Sequence, residues 1–244
     1  MELRDALRSI HLLDEDPYLT MQATNVSLVE YLIMGLEGDV LQKLWQEERT
    51  PGPEAAFLSA QTQMWFFAVY ELLRTVRSRS RDFIIWAANG GLLTMIAGLE
   101  KDLGYLHPGR ELRADQLREL LARPELVDRL RDDLRVSHIP FRRLEHLRIS
   151  LAKHEIAKKR NSIALAPGYG RINQWCGSLQ YQIEKGAVII DFVCRRDIAD
   201  ELRAMADREE IQTDAEIAMF DAVMDQEPGD VASLFEEPGT DGEP

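Results

Sequence analysis

The sequence predicts a mainly α protein: a helical bundle with a small C-terminal β-hairpin and a disordered acidic tail. Three observations predict it. Apolar residues recur at helical spacing through most of the first 165 residues, and the pattern switches to alternation between Arg171 and Cys194. From Gln226 onward, "QEPGDVASLFEEPGTDGEP" holds too little apolar content to fold alone. With 244 residues, 45% hydrophobic and 29% charged, the chain can bury a substantial core. We expect a single helical domain over residues 1–225, with a helical core at about 26–165, a hairpin at about 171–194, terminal helices at about 196–224 and the tail at 226–244.

The elements follow in order. Residues 2–13 predict a short amphipathic helix that ends before "DEDP". Ser27 is the expected cap of a helix running to about Arg49, where "TPGP" stops it because proline cannot sit in a helix interior. A long helix is expected from about Glu54 to Ala88. Phe57, Met64, Phe67, Leu72 and Val76 lie near helical spacing along it, and "NGG" ends it. The aromatics of "QTQMWFFAVYELLRTVR" (61–77) lie on several sides of this helix, the pattern of a central core element. Residues 92–104 predict another apolar helix, and the leucines of 111–134 predict a helical segment that Pro124 restarts as two. A basic helix is expected over 140–164, broken by "APGYG". In the hairpin, a Lys185–Gly186 turn would set Ile183 opposite Val188, Tyr181 opposite Ile190 and Leu179 opposite Phe192, with Gln180, Gln182 and Asp191 on the other face.

Composition excludes several classes. No apolar run approaches 18 residues, and Glu2 and Asp5 stand where a secretory leader would be basic, so no membrane span or signal segment is expected. Cys176 and Cys194 are the only cysteines, with no CxxC and no nearby histidine pair, which argues against structural zinc and fits a cytoplasmic location. No Walker loop, Rossmann fingerprint, GxSxG or HExxH occurs, so neither a cofactor nor a metal is expected.

The net charge of −13 belongs to the C-terminal end: no Lys or Arg follows Arg208, while residues 209–244 hold 12 Asp and Glu. Residues 135–160 carry eight Lys and Arg against Glu145 and Glu155, an excess of six positive charges that predicts a basic face. On a helix over 140–164, Leu144, Leu147 and Leu151 form an apolar stripe that His154 extends. Arg148 sits on the opposite shoulder, about 120° and roughly 9 Å away along the axis. Two copies packed antiparallel through the leucines would bring both pairs together, so a homodimer through the 140–164 helix is expected. Such a cleft suits phosphodiester chemistry, since imidazole moves protons near neutral pH and guanidinium stabilises phosphate charge.

Arg148 followed by His154 on a late helix of an all-helical domain resembles the motif of the HEPN superfamily, an Arg followed four to six residues later by a His. The resemblance could cover roughly residues 54–165. It implies a metal-independent ribonuclease or a degenerate RNA-binding relative. Arg148 would bind phosphate and stabilise the transition state; His154 would do acid–base or positioning work. The sequence departs from the motif at Ile149, where a polar residue is usual. Arg160–Asn161 offers that polar residue, but its histidine slot falls on Leu165. Arg142, Arg143, Lys153, Lys158, Lys159, Arg160 and Asn161 are the expected nucleic-acid contacts.

A plainer reading of the same residues makes His154 a half-buried core histidine and the lysines a solvated helix end that complements the helix dipole. His138, His146 and His154 rotate about 80° and rise about 12 Å per step, so they cannot share a metal. The alternative functional class is a non-enzymatic interaction or regulatory protein whose basic helix docks an acidic partner. The tail has matching options: a solubilising extension, a docking motif in "DVASLFEE" (230–237) for a protein partner, or an acidic mask over the basic helix.

Overall fold

Asp16 and Pro17 begin the first long helix. In the computed structural model, which describes residues 1–154, 163, 168–185 and 188–225, two short helices, α1 (Leu3–Arg8) and α2 (His11–Asp14), lead into α3 (Pro17–Glu47). Asp16 caps α3 by accepting from the backbone N–H groups of Tyr18 and Leu19, and Pro17 occupies the first turn, where no donor is needed. The helix therefore starts ten residues before Ser27, and "DEDP" is a starting signal for α3 as well as the end of α2. Glu48, in the left-handed region at φ 51°, ends it.

The central element is α4 (Gly52–Ala88), 37 residues and therefore about 55 Å long. It buries Trp65, Phe66, Val69, Leu72, Leu73 and Val76. Helix α3 packs along it, as do α7 (Leu126–Val136) and α8 (His138–Lys153), while α5 (Leu92–Glu100) and α6 (Pro108–Ala122) pair with each other near its C-terminal end. The segment expected to break at Pro124 does so, giving α6 and α7.

Helix α8 ends earlier than expected. His154 turns to φ 57°, its N–H bonded to the Ser150 carbonyl, and the helix stops at Lys153. Leu144, Leu147 and Leu151 are buried at 0, 1 and 6% exposure inside this chain's own core. The expected homodimer through the 140–164 helix is therefore corrected: the leucine stripe it needed already packs against the chain itself. His154 does not extend that stripe, because the left-handed turn carries its side chain out to solvent.

The hairpin is present, with a third strand: β1 (Arg171–Ile172), β2 (Leu179–Lys185) and β3 (Val188–Cys194) form an antiparallel sheet in that order. Its register differs from expectation. Tyr181 faces Val193, Gln182 faces Phe192 and Ile183 faces Asp191, with an irregularity between Ile183 and Glu184. An extra residue in one strand reverses which face each later residue occupies. Asp191 thus turns toward α8, where Arg143 lies 3.1 Å away, and Phe192 turns outward at 44% exposure. Lys185 is the last residue of β2 and pairs with Val188, and Gly186, the second residue of the expected turn, lies outside the described residues. After the sheet come α9 (Arg195–Ala204) and α10 (Asp214–Asp225); the expected tail, 226–244, also lies outside the described residues.

The sheet and α9 are pinned to α3 by a buried ionic cluster. Arg195 is fully buried and grips Glu37 with two hydrogen bonds, 2.7 and 2.9 Å, while its third nitrogen reaches Glu30 at 3.0 Å. Arg196 adds a bond to Glu37 and Arg203 two to Glu30. Burial alone would raise the Glu37 carboxyl's pKa, but the hydrogen bonds from Arg195 and Arg196 outweigh it and hold the group below its ordinary value. Gly177, at φ 74°, lies so close to α3 that a Cβ there would collide with the Glu37 carbonyl.

Glu37→Ala should destabilise the protein by about 3–5 kcal/mol, because it takes from the buried Arg195 guanidinium two of its three carboxylate bonds. Arg196→Ala, whose side chain is 36% exposed, should cost less than about 1 kcal/mol. Urea unfolding midpoints of the two variants, at unchanged slope, check the contrast.

Candidate functional site

The basic strip of α8 is largely matched within the chain. Arg135 pairs with Asp214 at 3.0 Å. Arg142 is buried and bonded to Glu145, Asp221 and Asp225 at 2.5, 3.0 and 2.8 Å. Arg143 pairs with Glu201 and Asp191. Helix α10 therefore lies across α8 as an acidic strap, held also by half-buried Phe220 and buried Met224. Arg142, an expected nucleic-acid contact, thus already has three carboxylates around it. Arg143 likewise spends its charge inside the fold.

Arg148 and His154 are not brought together by the fold of one chain. Arg148 stacks its guanidinium over the Tyr70 ring, 5.0 Å from the centroid, with Nε 3.8 Å from Glu71. Glu71 also pairs with Arg74 at 2.6 Å, so this carboxylate serves both its own helix and the basic one. Lys153 and His154 lie exposed at the end of α8. Lys158, Lys159, Arg160 and Asn161 fall outside the described residues.

A stronger concentration of positive charge lies elsewhere, where α4, α6 and α8 meet. A cleft of about 690 Å³ is lined there by Arg74, Arg79, Arg81, Arg113 and Arg142, with Tyr70, Phe141, Ser78 and Thr75, against two carboxylates, Asp82 and Glu145. Tyr70 and Phe141 stack at 5.4 Å and make an apolar wall. The arginines differ in what they already hold. Arg79 gives one nitrogen to Asp16 at 2.7 Å, but its Nε is buried without a hydrogen-bond partner among the described residues. Arg81 is exposed, Arg113 is half-buried over the Phe83 ring, and neither forms an ion pair with a carboxylate among the described residues. Burial lowers the pKa of Arg113, and the nearby charge of Arg79 adds to the shift.

Behind the Phe141 wall lies another uncompensated cation. Arg77 is buried, donates to the Leu134 carbonyl and the Ser137 hydroxyl, and sits 4.8 Å from the Phe141 ring centre. Burial and the charge of Arg81 push it down to about 9, still charged at neutral pH. Arg77 lies 3.3 Å from His138 Nδ1, and a guanidinium cannot accept, so Nδ1 is the acceptor and the ring's proton sits on Nε2, donated to Asp221 at 3.0 Å. His138 is thereby held neutral, consistent with a pKa lowered chiefly by burial.

The sequence carried a signal for this cleft in "RTVRSRSR", four arginines within residues 74–81. It was hidden because α4 reads as a core helix, and because Arg113 and Phe141 come from distant segments.

Among the described residues, His11, Glu15 and Glu119 bring three ligand-type atoms within 4.8 Å of one another. The group is already occupied by protein partners: His11 Nε2 lies 3.3 Å from Glu15, and Arg123 lies 2.6 Å from Glu119. Burial, then the adjacent Glu119, raises Glu15 to about 7. A carboxyl raised in the folded state binds more protons there than in the unfolded chain, so its ionisation costs stability as pH rises from about 4.5 to about 7. Glu15→Gln should remove that decline, leaving a flatter profile of thermal midpoint against pH across this window than the wild type shows.

No family model, curated protein or solved structure matches the chain, so the functional reading rests on this geometry.

Proposed function

We propose that this protein is RNA-directed, in the HEPN-like sense read from Arg148 and His154, and that it engages RNA chiefly as a binder through the arginine cleft. The observation that carries the reading is the set of unsatisfied cations in one cleft: Arg81 and Arg113 without carboxylate partners, and Arg79 with a buried, unpartnered Nε. Phosphate oxygens are the natural acceptors for guanidinium donors in this arrangement. From Arg81 the arginines continue through Arg74 to the Arg148–Tyr70 stack, a run of roughly 16 Å along α4, long enough for more than one backbone phosphate. Binding is favoured over cleavage because Arg148 is engaged by Tyr70 and Glu71 while His154 sits on a separate turn. Cleavage by Arg148 and His154 is the second reading, favoured by the exposure of His154 at the end of the strip.

The test is fluorescence anisotropy with a labelled single-stranded RNA in EDTA, over a salt series. The double variant Arg81→Glu with Arg113→Glu should weaken binding at least tenfold. Neutralising two phosphates fewer should also make the slope of log K against log salt shallower by about 1.4. His154→Ala should bind as the wild type does. RNA cut by the wild type and spared by His154→Ala would select the nuclease reading instead, and no salt-sensitive binding at all would overturn the proposal.

A further inference from the structure

Helices α3 and α4 run antiparallel, in contact where the Trp65 indole donates to the Val26 carbonyl at 3.1 Å. Their outward faces share an unusual property. Residues 17–36 contain a single charged residue, Glu30, and it is buried; residues 55–70 contain none. At the chain's overall 29% charged content, 36 residues would carry about ten charges. The surface that results is apolar: Met21, Leu28, Tyr31 and Leu32 on α3 and Phe57 and Met64 on α4 are each 54–76% exposed. Two hollows lie along the seam, the larger of about 440 Å³ between Gln22, Asn25 and Val29 on one side and Gln61, Met64 and Ala68 on the other.

We propose that this α3–α4 face is the interface between two copies of this chain. Three features select a second copy as the occupant. On α3 the exposed positions Tyr18, Met21, Asn25, Leu28 and Leu32 follow alternating spacings of three and four, the periodicity with which a helix packs along another helix. The ridge of Met21, Leu28 and Leu32 lies beside the seam hollow, so a two-fold axis sets each copy's ridge against the other's hollow, as an isologous contact requires. The six large side chains offer on the order of 750 Å², at roughly 200 Å² for each in full, close to the roughly 800 Å² that each partner of a standard interface buries. The depletion of charge is what the buried centre of an interface requires. Asn25, uncharged and central in the stripe, is placed to meet its counterpart near the axis and fix the register. The proposal rests on other residues than the RNA reading: none of the six exposed apolar side chains lines the arginine cleft, and the two surfaces meet only at Glu71, at the end of the larger hollow.

Sedimentation equilibrium of the full chain tests it, at concentrations up to about 100 µM. The expected wild-type mass is twice the 27.9 kDa of one chain. Leu28→Glu with Leu32→Glu should sediment at 27.9 kDa with an unchanged circular dichroism spectrum, because both side chains are already exposed in the single chain. Asn25→Asp, the milder variant, should weaken association at least tenfold, and more strongly above pH 5 than below it as the paired carboxylates ionise. A wild type that stays at 27.9 kDa overturns the proposal, whether another protein, a lipid surface or the chain's own C-terminal residues covers the face. A dimer that survives both glutamates overturns it equally, since its contact must then lie elsewhere.

Discussion

The grip of Arg195 on Glu37 and Glu30 is the constraint on which the C-terminal third of the fold depends. Burying three charges is costly, and a cluster of this kind is not justified by stability alone, since apolar residues of equal volume often serve as well. What the cluster supplies is geometry. The bidentate Arg195–Glu37 pair allows one approach of α9 to α3, and Gly177 lets the chain before β2 pass against the Glu37 carbonyl. The sheet is thereby fixed over α4, with Tyr181 set edge-on to Phe66. The same cluster explains the inverted character of α3. Its inward face takes up Glu30 and Glu37 to meet arginines, while its outward face carries leucine, methionine and tyrosine. Two of the helix's acids thus lie inward among Leu19, Val26, Ile33 and Val40, while several of its large apolar side chains lie outward, and both placements follow from what they meet or lack.

Charge matching across long separations also governs α8. Read locally, residues 135–160 carry six more positive than negative charges. In the fold, Arg135 and Arg142 meet Asp214, Asp221 and Asp225, roughly eighty positions later, and Arg143 meets Asp191 and Glu201. The suggested acidic mask, the 226–244 tail, lies outside the described residues; α10, a different segment that ends just before it, is what meets α8. On α8 itself, His138 and Arg142 meet the acids of α10, whereas Arg143 turns to β3 and α9 and Arg148 to α4.

This separation marks what could be read from the sequence. Helix positions were legible where punctuation was local: "TPGP" and "NGG" bound α4, and Pro124 divides α6 from α7. The hairpin was legible from its alternation. Its register was not, because the irregularity at Ile183–Glu184 goes with Asp191 reaching Arg143 on another element. The end of α8 was missed because nothing near His154 signals a left-handed turn; histidine reaches that region without glycine's ease. The start of α3 was legible and misread, since Asp16–Pro17 is both a cap and a first-turn proline. Of the candidate site, Arg148 was found in a partly exposed setting, but its platform, Tyr70, was assigned to the core. The cleft itself was invisible because three helices assemble it.

Partner assignment, more than position, separates the arginines spent inside the fold from those left without a carboxylate among the described residues. Four arginines of α4 form a graded series. Arg74 has Glu71; Arg77 has a carbonyl and a hydroxyl; Arg79 has Asp16 for one nitrogen only; Arg81 has no carboxylate partner among the described residues. Asp82 and Glu145 line the cleft, and Glu145 is already paired with Arg142; of the acids just beyond it, Asp221 and Asp225 are also held by Arg142, and neutral His138 shares the first. The strap that quenches the α8 strip therefore leaves the cleft beside it positive. Because Arg77 is walled off by Phe141, its field falls on the cleft through a low-dielectric side chain and not through water, where it would be screened. An anion entering the cleft meets donors already ordered and partly desolvated, the condition under which guanidinium–phosphate contacts are strongest.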